Sequence, residues 1–319
     1  MKKQIFLLCI LAFLAGCGAS DEIFDKQYQE QYYENIPPDE ETATEYILEA
    51  RRRESGMLEV HVFGIASADA ILITTENYVV LIDTGERQHG RSIAEQLFER
   101  GIFHVDYLII THFDRDHVGG AYDIIRFLNV RNIIVPNYRR YSNSAERFRE
   151  AKARAEIEAY VITEALSFTL DDAVFGIYPS ALDFFVFGNE EDEAYDAYTG
   201  EEIIAPREND FSIFVSVVHG ENSFLFTGDA MAGRLGEFLA DYARPFDFLK
   251  LPHHGRYNRL TEEFLNIVRP RYAVSTCCFD RPIDERVVSI LDEIGTEIFL
   301  SINGGVSARS DGTGIVFLQ

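Results

Sequence analysis

The chain has 319 residues, 47% hydrophobic and 26% charged, with too much apolar content for a disordered segment and enough for one large layered domain. Its 29 Lys and Arg against 53 Asp and Glu leave a formal charge of −24. So acidic a surface repels nucleic acid and anionic membrane at long range, which argues against a passive DNA-binding module but not against chemistry that meets phosphates through metal ions.

Lys2 and Lys3 precede an apolar run from Ile5 to Leu14, and Ala15, Gly16 and Cys17 follow. This is the order of a secretory leader, and the run is shorter than the ~20 residues a bilayer span needs. Leu14-Ala15-Gly16-Cys17 resembles the lipobox of bacterial lipoprotein precursors. The resemblance implies a signal peptide over residues 1–16, lipidation of the Cys17 thiol, and an extracytoplasmic protein anchored to a membrane of the cell envelope. Residues 17–56 are polar and acidic, with Pro37-Pro38 before Asp39-Glu40-Glu41. They read as a tether with some helix over residues 42–53. Beyond Cys9 and Cys17 only the adjacent pair Cys277-Cys278 remains, so no disulfide framework is expected.

Strand patterns follow at 58–63 and in a hairpin, 70–75 with 78–82, around Glu76-Asn77. Helix and strand then alternate: helix 91–100, strand 107–111, helix 120–128, strand 132–135, helix 145–159. Between the last two, Tyr138-Arg139-Arg140-Tyr141 reads as a helix lead-in or as a lining of the cleft mouth. Two strands flank Asp171-Asp172, and residues 184–207 read as an irregular acidic insertion. Glu190 to Glu202 holds seven carboxylates without the regular spacing of a calcium loop. A second hairpin, 211–218 with 223–226, opens a further series: helix 233–242, strand 246–251, helix 262–268, strand 272–276, helix 284–294, strand 297–300. Hairpins followed by α/β units, twice over, suggest two mixed sheets face to face with helices outside.

Chemistry concentrates at strand exits. His112-Phe113-Asp114-Arg115-Asp116-His117 follows the strand at 107–111 and places four potential metal ligands in six residues. Gly119-Gly120 then lets the backbone turn tightly. Thr227-Gly228-Asp229 ends the second hairpin with a carboxylate, whose two oxygens suit it to bridge two cations. Leu251-Pro252-His253-His254-Gly255 ends another strand with two imidazoles. Four of the chain's eight histidines thus sit in two strand-exit motifs.

These motifs resemble the His-x-His-x-Asp-His signature of the metallo-β-lactamase-fold hydrolases, with Asp114 in place of the second His. With Thr227-Gly228-Asp229 and His253-His254-Gly255 they are similar to the C-terminal hydrolase domain of ComEC-type competence proteins. Leu58-Glu59-Val60-His61, Ile82-Asp83-Thr84-Gly85, Asn209-Asp210-Phe211-Ser212 and Lys250 support the likeness, which covers roughly residues 57–317. The resemblance implies an αββα four-layer sandwich over residues 57–319 and two divalent metal ions, zinc or manganese. One ion would take His112 and Asp114. The other would take Asp116, His117 and one of His253 and His254, with His254 favoured, and Asp229 would bridge. The implied nucleophile is a water ionised between cations about 3.5–4 Å apart, oriented by Asp116. Asp83 would tie the loops together from behind.

Three departures stand out. The family's Asp-Val-Gly-Gln-Gly-Asp reads Gly64-Ile65-Ala66-Ser67-Ala68-Asp69; the Ser after His-His-Gly is Arg256; a late His-Pro is Arg281-Pro282. Both arginines suit an anionic group such as phosphate, and both equally suit a solvent-facing position. The third-motif ligand stays open among Asn209, Asp210 and Ser212, with His219 a poorer choice. The expected activity is hydrolysis of a phosphoester, in a small molecule or a nucleic acid. The alternative is a lipoprotein that binds a ligand or partner through a degenerate site.

Overall fold

A computed structural model describes residues 54–188 and 207–318. The leader, Cys17, the expected helix over 42–53 and the acidic stretch 190–202 lie outside the described residues. Among the described residues no helix is long and apolar enough to cross a membrane.

The first half contains strands β1 (Leu58–Val62), β2 (Ile71–Thr74), β3 (Val79–Ile82), β4 (His104–Ile109), β5 (Asn129–Val135), β6 (Tyr138–Arg140) and β7 (Ala159–Val161). Its helices are α1 (His89–Glu99), α2 (Arg115–Val118), α3 (Ala121–Phe127) and α4 (Asn143–Arg154). The second half contains β8 (Leu166–Leu170), β9 (Ala173–Tyr178), β10 (Phe185–Phe187), β11 (Phe214–His219), β12 (Asn222–Phe226), β13 (Phe248–Lys250), β14 (Tyr272–Ser275) and β15 (Glu297–Leu300). Helices α5 (Ala232–Tyr242), α6 (Thr261–Val268) and α7 (Glu285–Ile294) alternate with its later strands, and β16 (Val306–Ser310) and β17 (Ile315–Leu318) close the chain. One sheet runs β17-β16-β1-β2-β3-β4-β5-β7 and the other β15-β14-β13-β12-β11-β9-β8.

The period-two pattern decides the layering. On β3, Val79 and Leu81 face the apolar layer shared with Ile93 and Leu97 of α1, while Val80 and Ile82 face the layer between the sheets. On β12, Phe224 and Phe226 enter that same middle layer and Leu225 turns to α5 and α6. Each sheet therefore buries one face on the other and one on helices, which makes the αββα sandwich.

Local differences from the sequence pattern have physical causes. The helix expected over 145–159 begins at Asn143, because Ser142 caps it by accepting from Ala145 N. It stops at Arg154, and Glu156 takes a left-handed φ of 56° before β7. Tyr138-Arg139-Arg140 is not a helix lead-in but the strand β6, which pairs with β10 inside the expected irregular insertion. The closing strand β16 carries small and polar residues in a weak alternation, and it pairs onto β1 all the same, with the apolar β17 added at the sheet edge.

Candidate metal centre

The site is assembled where strands of both sheets end. Parallel pairing of β3 with β4 brings the turn after Ile82 beside the exit of β4, which carries His112 through His117. Parallel pairing of β12 with β13 does the same for Asp229 and the His253-His254 pair. Such strand ends are where α/β sheets place their sites.

Asp116, His117, Asp229 and His254 converge, each offering a ligand atom within 4.8 Å of the others. Asp229 Oδ1 is 3.3 Å from His117 Nε2, and its Oδ2 is 3.1 Å from His254 Nε2. His254 Nε2 is also 3.5 Å from Asp116 Oδ2. The His112 ring lies 4.0 Å from that of His117, centroid to centroid, and His112 Nε2 is 3.6 Å from Asp114 Oδ2. Among the described residues, His112 Nε2, His117 Nε2, His254 Nε2 and Asp229 Oδ1 are buried without a hydrogen-bond partner. Buried polar atoms are normally satisfied. Several unsatisfied lone pairs aimed at one volume are a donor set suited to metal ions.

Further contacts fix each ligand's orientation. Asp83 takes a left-handed φ of 57°, which turns its carboxylate inward, where it accepts from Thr111 N at 2.8 Å and Thr111 Oγ1 at 2.6 Å. Its Oδ2 is 2.8 Å from His117 Nδ1, leaving Nε2 to face Asp229. His254 Nδ1 meets Thr276 Oγ1 at 2.8 Å, and Thr276 Oγ1 donates to Asp69 Oδ1 at 2.7 Å. Ser275 Oγ donates to His254 O, and His253 and His254 both hold positive φ. The fully buried Lys250 pairs with Asp69, lies 3.6 Å from Asp229 and donates to Gly228 O.

The electrostatics follow from burial against charge. Burial opposes ionisation of Asp116, yet the imidazoles of His254, 3.5 Å away, and His117 outweigh it and hold the carboxyl well below the usual range. Burial likewise opposes the charged forms of Asp229 and His117. His254 and His117 pull the Asp229 carboxyl down, while Asp229 and Asp83 raise the His117 imidazole. For His254, burial is overcome chiefly by Asp229, and the imidazole is raised to about 9.

The remaining sequence candidates occupy distinct places. His253 is half-buried, with Nε2 3.8 Å from Asp229 Oδ2 and Nδ1 against Met231 Sδ. Burial pushes it down to about 4, with Arg256 assisting. Arg256 and Arg281 are exposed. Asp210 Oδ2 accepts from Arg207 N, and the Asn209 carbonyl accepts from Ser212 N, within the 3-10 turn Glu208–Phe211. Ser212 is buried beneath Gly228. His219 bonds Ser310 and Asp172 at the far end of β11.

The third motif puts a residue not singled out from sequence, Glu208, against Asp114. Glu208 Oε1 pairs with Arg140 at 2.7 Å, and Tyr138 OH donates to its Oε2 at 3.2 Å. Burial and the Asp114 charge push Glu208 up to about 8. The one sequence signal toward it was its place beside Asn209-Asp210.

This fold and this cluster of strand-end ligands define a metal-dependent hydrolase scaffold. The chain belongs to the metallo-beta-lactamase superfamily, whose family model matches residues 64–276. Among curated proteins it is 25% identical over 221 residues to "Recombination protein 2" of Haemophilus influenzae, covering 68% of this chain and 24% of that protein. It is 24% identical over 235 residues to "ComE operon protein 3" of Bacillus subtilis, covering 68% of this chain and 28% of that protein. The chain thus spans about a quarter of the length of the curated relatives it matches. The metallo-beta-lactamase fold protein YhfI of Bacillus subtilis superposes with a TM-score of 0.52 at 12% identity, covering 80% of this chain and 99% of that one. The CmlA beta-hydroxylase superposes with a TM-score of 0.51 at 13% identity, covering 93% of this chain and 61% of that one. These two likenesses show the fold; they do not choose a substrate.

Proposed function

We propose that the protein is an envelope-anchored hydrolase that binds two divalent ions, zinc or manganese, and cleaves phosphoester bonds. The observation that carries this reading is the convergence of Asp116, His117, Asp229 and His254 beside His112, with unpartnered ligand atoms facing one another. His112 and Asp114 would hold one ion, Asp116, His117 and His254 the other, and Asp229 would bridge them. Bound divalent ions supply Lewis acidity and an ionised water at neutral pH.

The protein's residues do the positioning. Asp83 fixes the His117 ring, Thr276 and Asp69 fix that of His254, and Lys250 offsets the carboxylate charge from behind. The Asp116 side chain, 26% exposed, faces the opening and stays ionised to orient a nucleophile. Exposed Arg256, next to the His pair, is suited to a phosphate oxygen. The phosphoester substrate is supported by the likeness to proteins named for recombination and the ComE operon. Their names also favour a nucleic-acid or nucleotide substrate, and the charge of −24 favours the smaller of the two. The envelope location rests on the Leu14–Cys17 segment.

The test is metal content and turnover of the full chain beside Asp116→Asn. About two ions per chain, fewer in the variant, with hydrolysis of bis(p-nitrophenyl) phosphate lost in parallel, is the expected result. A hydrolysis rate insensitive to salt marks a small diester, and a steep loss with salt marks a polymer. No metal after loading with zinc or manganese would sink the hydrolase reading in favour of a binding lipoprotein.

A further inference from the structure

The loop over residues 276–284 is fastened to the metal centre at three points. At its start, Thr276 Oγ1 lies 2.8 Å from His254 Nδ1 and donates to Asp69 Oδ1. At its end, Asp284 N donates to Gly255 O at 3.1 Å, and a Cβ on Gly255 would meet Ile283 at 3.0 Å. Between them, Ser67 Oγ donates to Cys278 Sγ at 3.1 Å. Ser67 belongs to the segment whose Asp69 N donates to Asp116 O at 3.0 Å. Both ends of the loop thus rest on His254-Gly255, and its middle rests on the segment that abuts Asp116.

The middle of the loop is a tight turn. Cys278 N donates to Arg281 O at 3.3 Å and Arg281 N to Cys278 O at 3.0 Å, which leaves Phe279 and Asp280 at the tip. Phe279 is 83% exposed, the largest fraction among the large hydrophobic side chains of the described residues. Single exposed apolar residues are common. This one stands out by its place. The loop is anchored through Thr276, Cys278, Ile283 and Asp284, and neither tip residue has a positive φ, so the fold asks for no aromatic ring there. The Cα of Phe279, three residues beyond Thr276, is at most about 11 Å from that of the residue touching His254. Arg256 and Arg281 share this rim; both are exposed, and neither forms an ion pair among the described residues.

We propose that Phe279 is a stacking platform for the base of a nucleoside phosphoester whose phosphate sits at the metal centre, and that it thereby selects substrates with an unpaired base. A phenyl ring stacks on any base, because every base has a π-face. A base inside a duplex is already stacked on both faces and offers none. A phosphorylated glycerol or sugar has no such face and gains nothing. The guanidiniums of Arg256 and Arg281 suit the phosphate oxygens. Asp280, at the tip, suits the donor-bearing edge of a base rather than a phosphate. The inference rests on the hydrolase reading for where the phosphate sits. The base could come from a free nucleotide or from a single strand, and the probes separate the two.

The experiment uses the full chain loaded with zinc or manganese, as wild type, Phe279→Ala and Phe279→Trp. Calorimetry measures affinity for AMP, for ribose 5-phosphate, which is AMP without its base, and for single-stranded oligothymidylate. Turnover gives kcat/KM for a thymidine dinucleotide and for its abasic counterpart. Wild type should prefer AMP to ribose 5-phosphate by at least ~fivefold, Phe279→Ala should lose that preference, and Phe279→Trp should keep it. Phe279→Ala should lower kcat/KM for the dinucleotide by a similar factor and leave the abasic compound unmoved. The tighter of AMP and oligothymidylate identifies the source. The proposal fails if AMP does not bind, if wild type shows no preference for the base, if Phe279→Ala retains the preference, or if Phe279→Ala weakens ribose 5-phosphate equally, which marks a structural role. Base-dependent binding lost in Phe279→Ala without any hydrolysis would keep this inference and remove the hydrolase reading. Equal turnover of the two dinucleotides would do the reverse.

Discussion

Asp83 Oδ2 stands 2.8 Å from His117 Nδ1, and the same carboxylate accepts two hydrogen bonds from Thr111, which directly precedes His112. One buried side chain thereby sets the rotation of an imidazole and the path of the loop that carries the other ligands. Replacing Asp83 by Asn keeps the left-handed turn, because Asn tolerates positive φ. It removes one acceptor oxygen and the charge that favours proton-bearing Nδ1. Metal affinity of Asp83→Asn should fall about 10–100-fold with the fold retained. Competition with a chromophoric chelator measures the affinity, and an unchanged value would remove Asp83 from the positioning role.

Lys250 is fully buried between Asp69 and Asp229. Burial disfavours its ammonium, but Asp69 and Asp229 more than compensate and raise its pKa. Lys250→Met strands two carboxylates and should cost about 3–5 kcal/mol in urea unfolding of the metal-free chain. Adding Asp69→Asn relieves one stranded charge, so the double variant should be less destabilised than the two single costs combined. Strict additivity would show that the pair is not coupled.

The metal loop was legible in the sequence because its chemistry is local. His112, Asp114, Asp116 and His117 lie within one strand exit, and Asp229 and His254 end two other strands with recognisable punctuation. Glu208 was not legible. Its importance lies in contact with Asp114 and Arg140, which only the packing of the Glu208–Phe211 turn against β6 creates. The same holds for Thr276, an ordinary residue after a strand until β14 sets it beside His254. The layers were readable from the order of the elements, hairpins followed by α/β units twice over, because each such unit covers one sheet face with helices. β16 was not, because Ser307, Arg309 and Ser310 carry little hydrophobic signal and its pairing with β1 is non-local.

His61 supplies a pH test away from the metal centre. Arg100 donates to its Nε2 at 3.2 Å, so Nδ1 carries the proton toward Ser307 Oγ at 2.6 Å and the ring is neutral. Burial, assisted by Arg100, lowers the imidazole from 6.5 to about 4. Between those values the unfolded chain binds a proton that the folded chain refuses. Stability from this group is therefore complete above pH 6.5 and is lost as the pH falls toward about 4. His61→Gln should show a shallower decline in unfolding free energy across that window. Parallel curves for the two proteins would contradict the assignment.

Gly120 joins the metal loop to helix α1 through space rather than through its own dihedrals. A Cβ there would lie 2.2 Å from Thr84 O and 2.8 Å from Gly90 Cα, and a Cβ on Gly90 would lie 2.4 Å from Gly120 O. Thr84 N in turn donates to His117 O at 2.7 Å. These atoms are backbone and cannot swing aside, so Gly120→Ala must push the Thr84 turn away from the loop that carries His117. Overpacking of this kind costs about 1–3 kcal/mol. The displacement should also weaken metal binding, since His117 moves with the turn. Gly314→Ala is the control: a Cβ there meets nothing within 4 Å, and the change should be neutral or stabilise by up to about 1 kcal/mol. If Gly120→Ala lowered stability while leaving metal affinity at the wild-type value, the contact would serve the helix layer alone and the ligand geometry would be set entirely by Asp83.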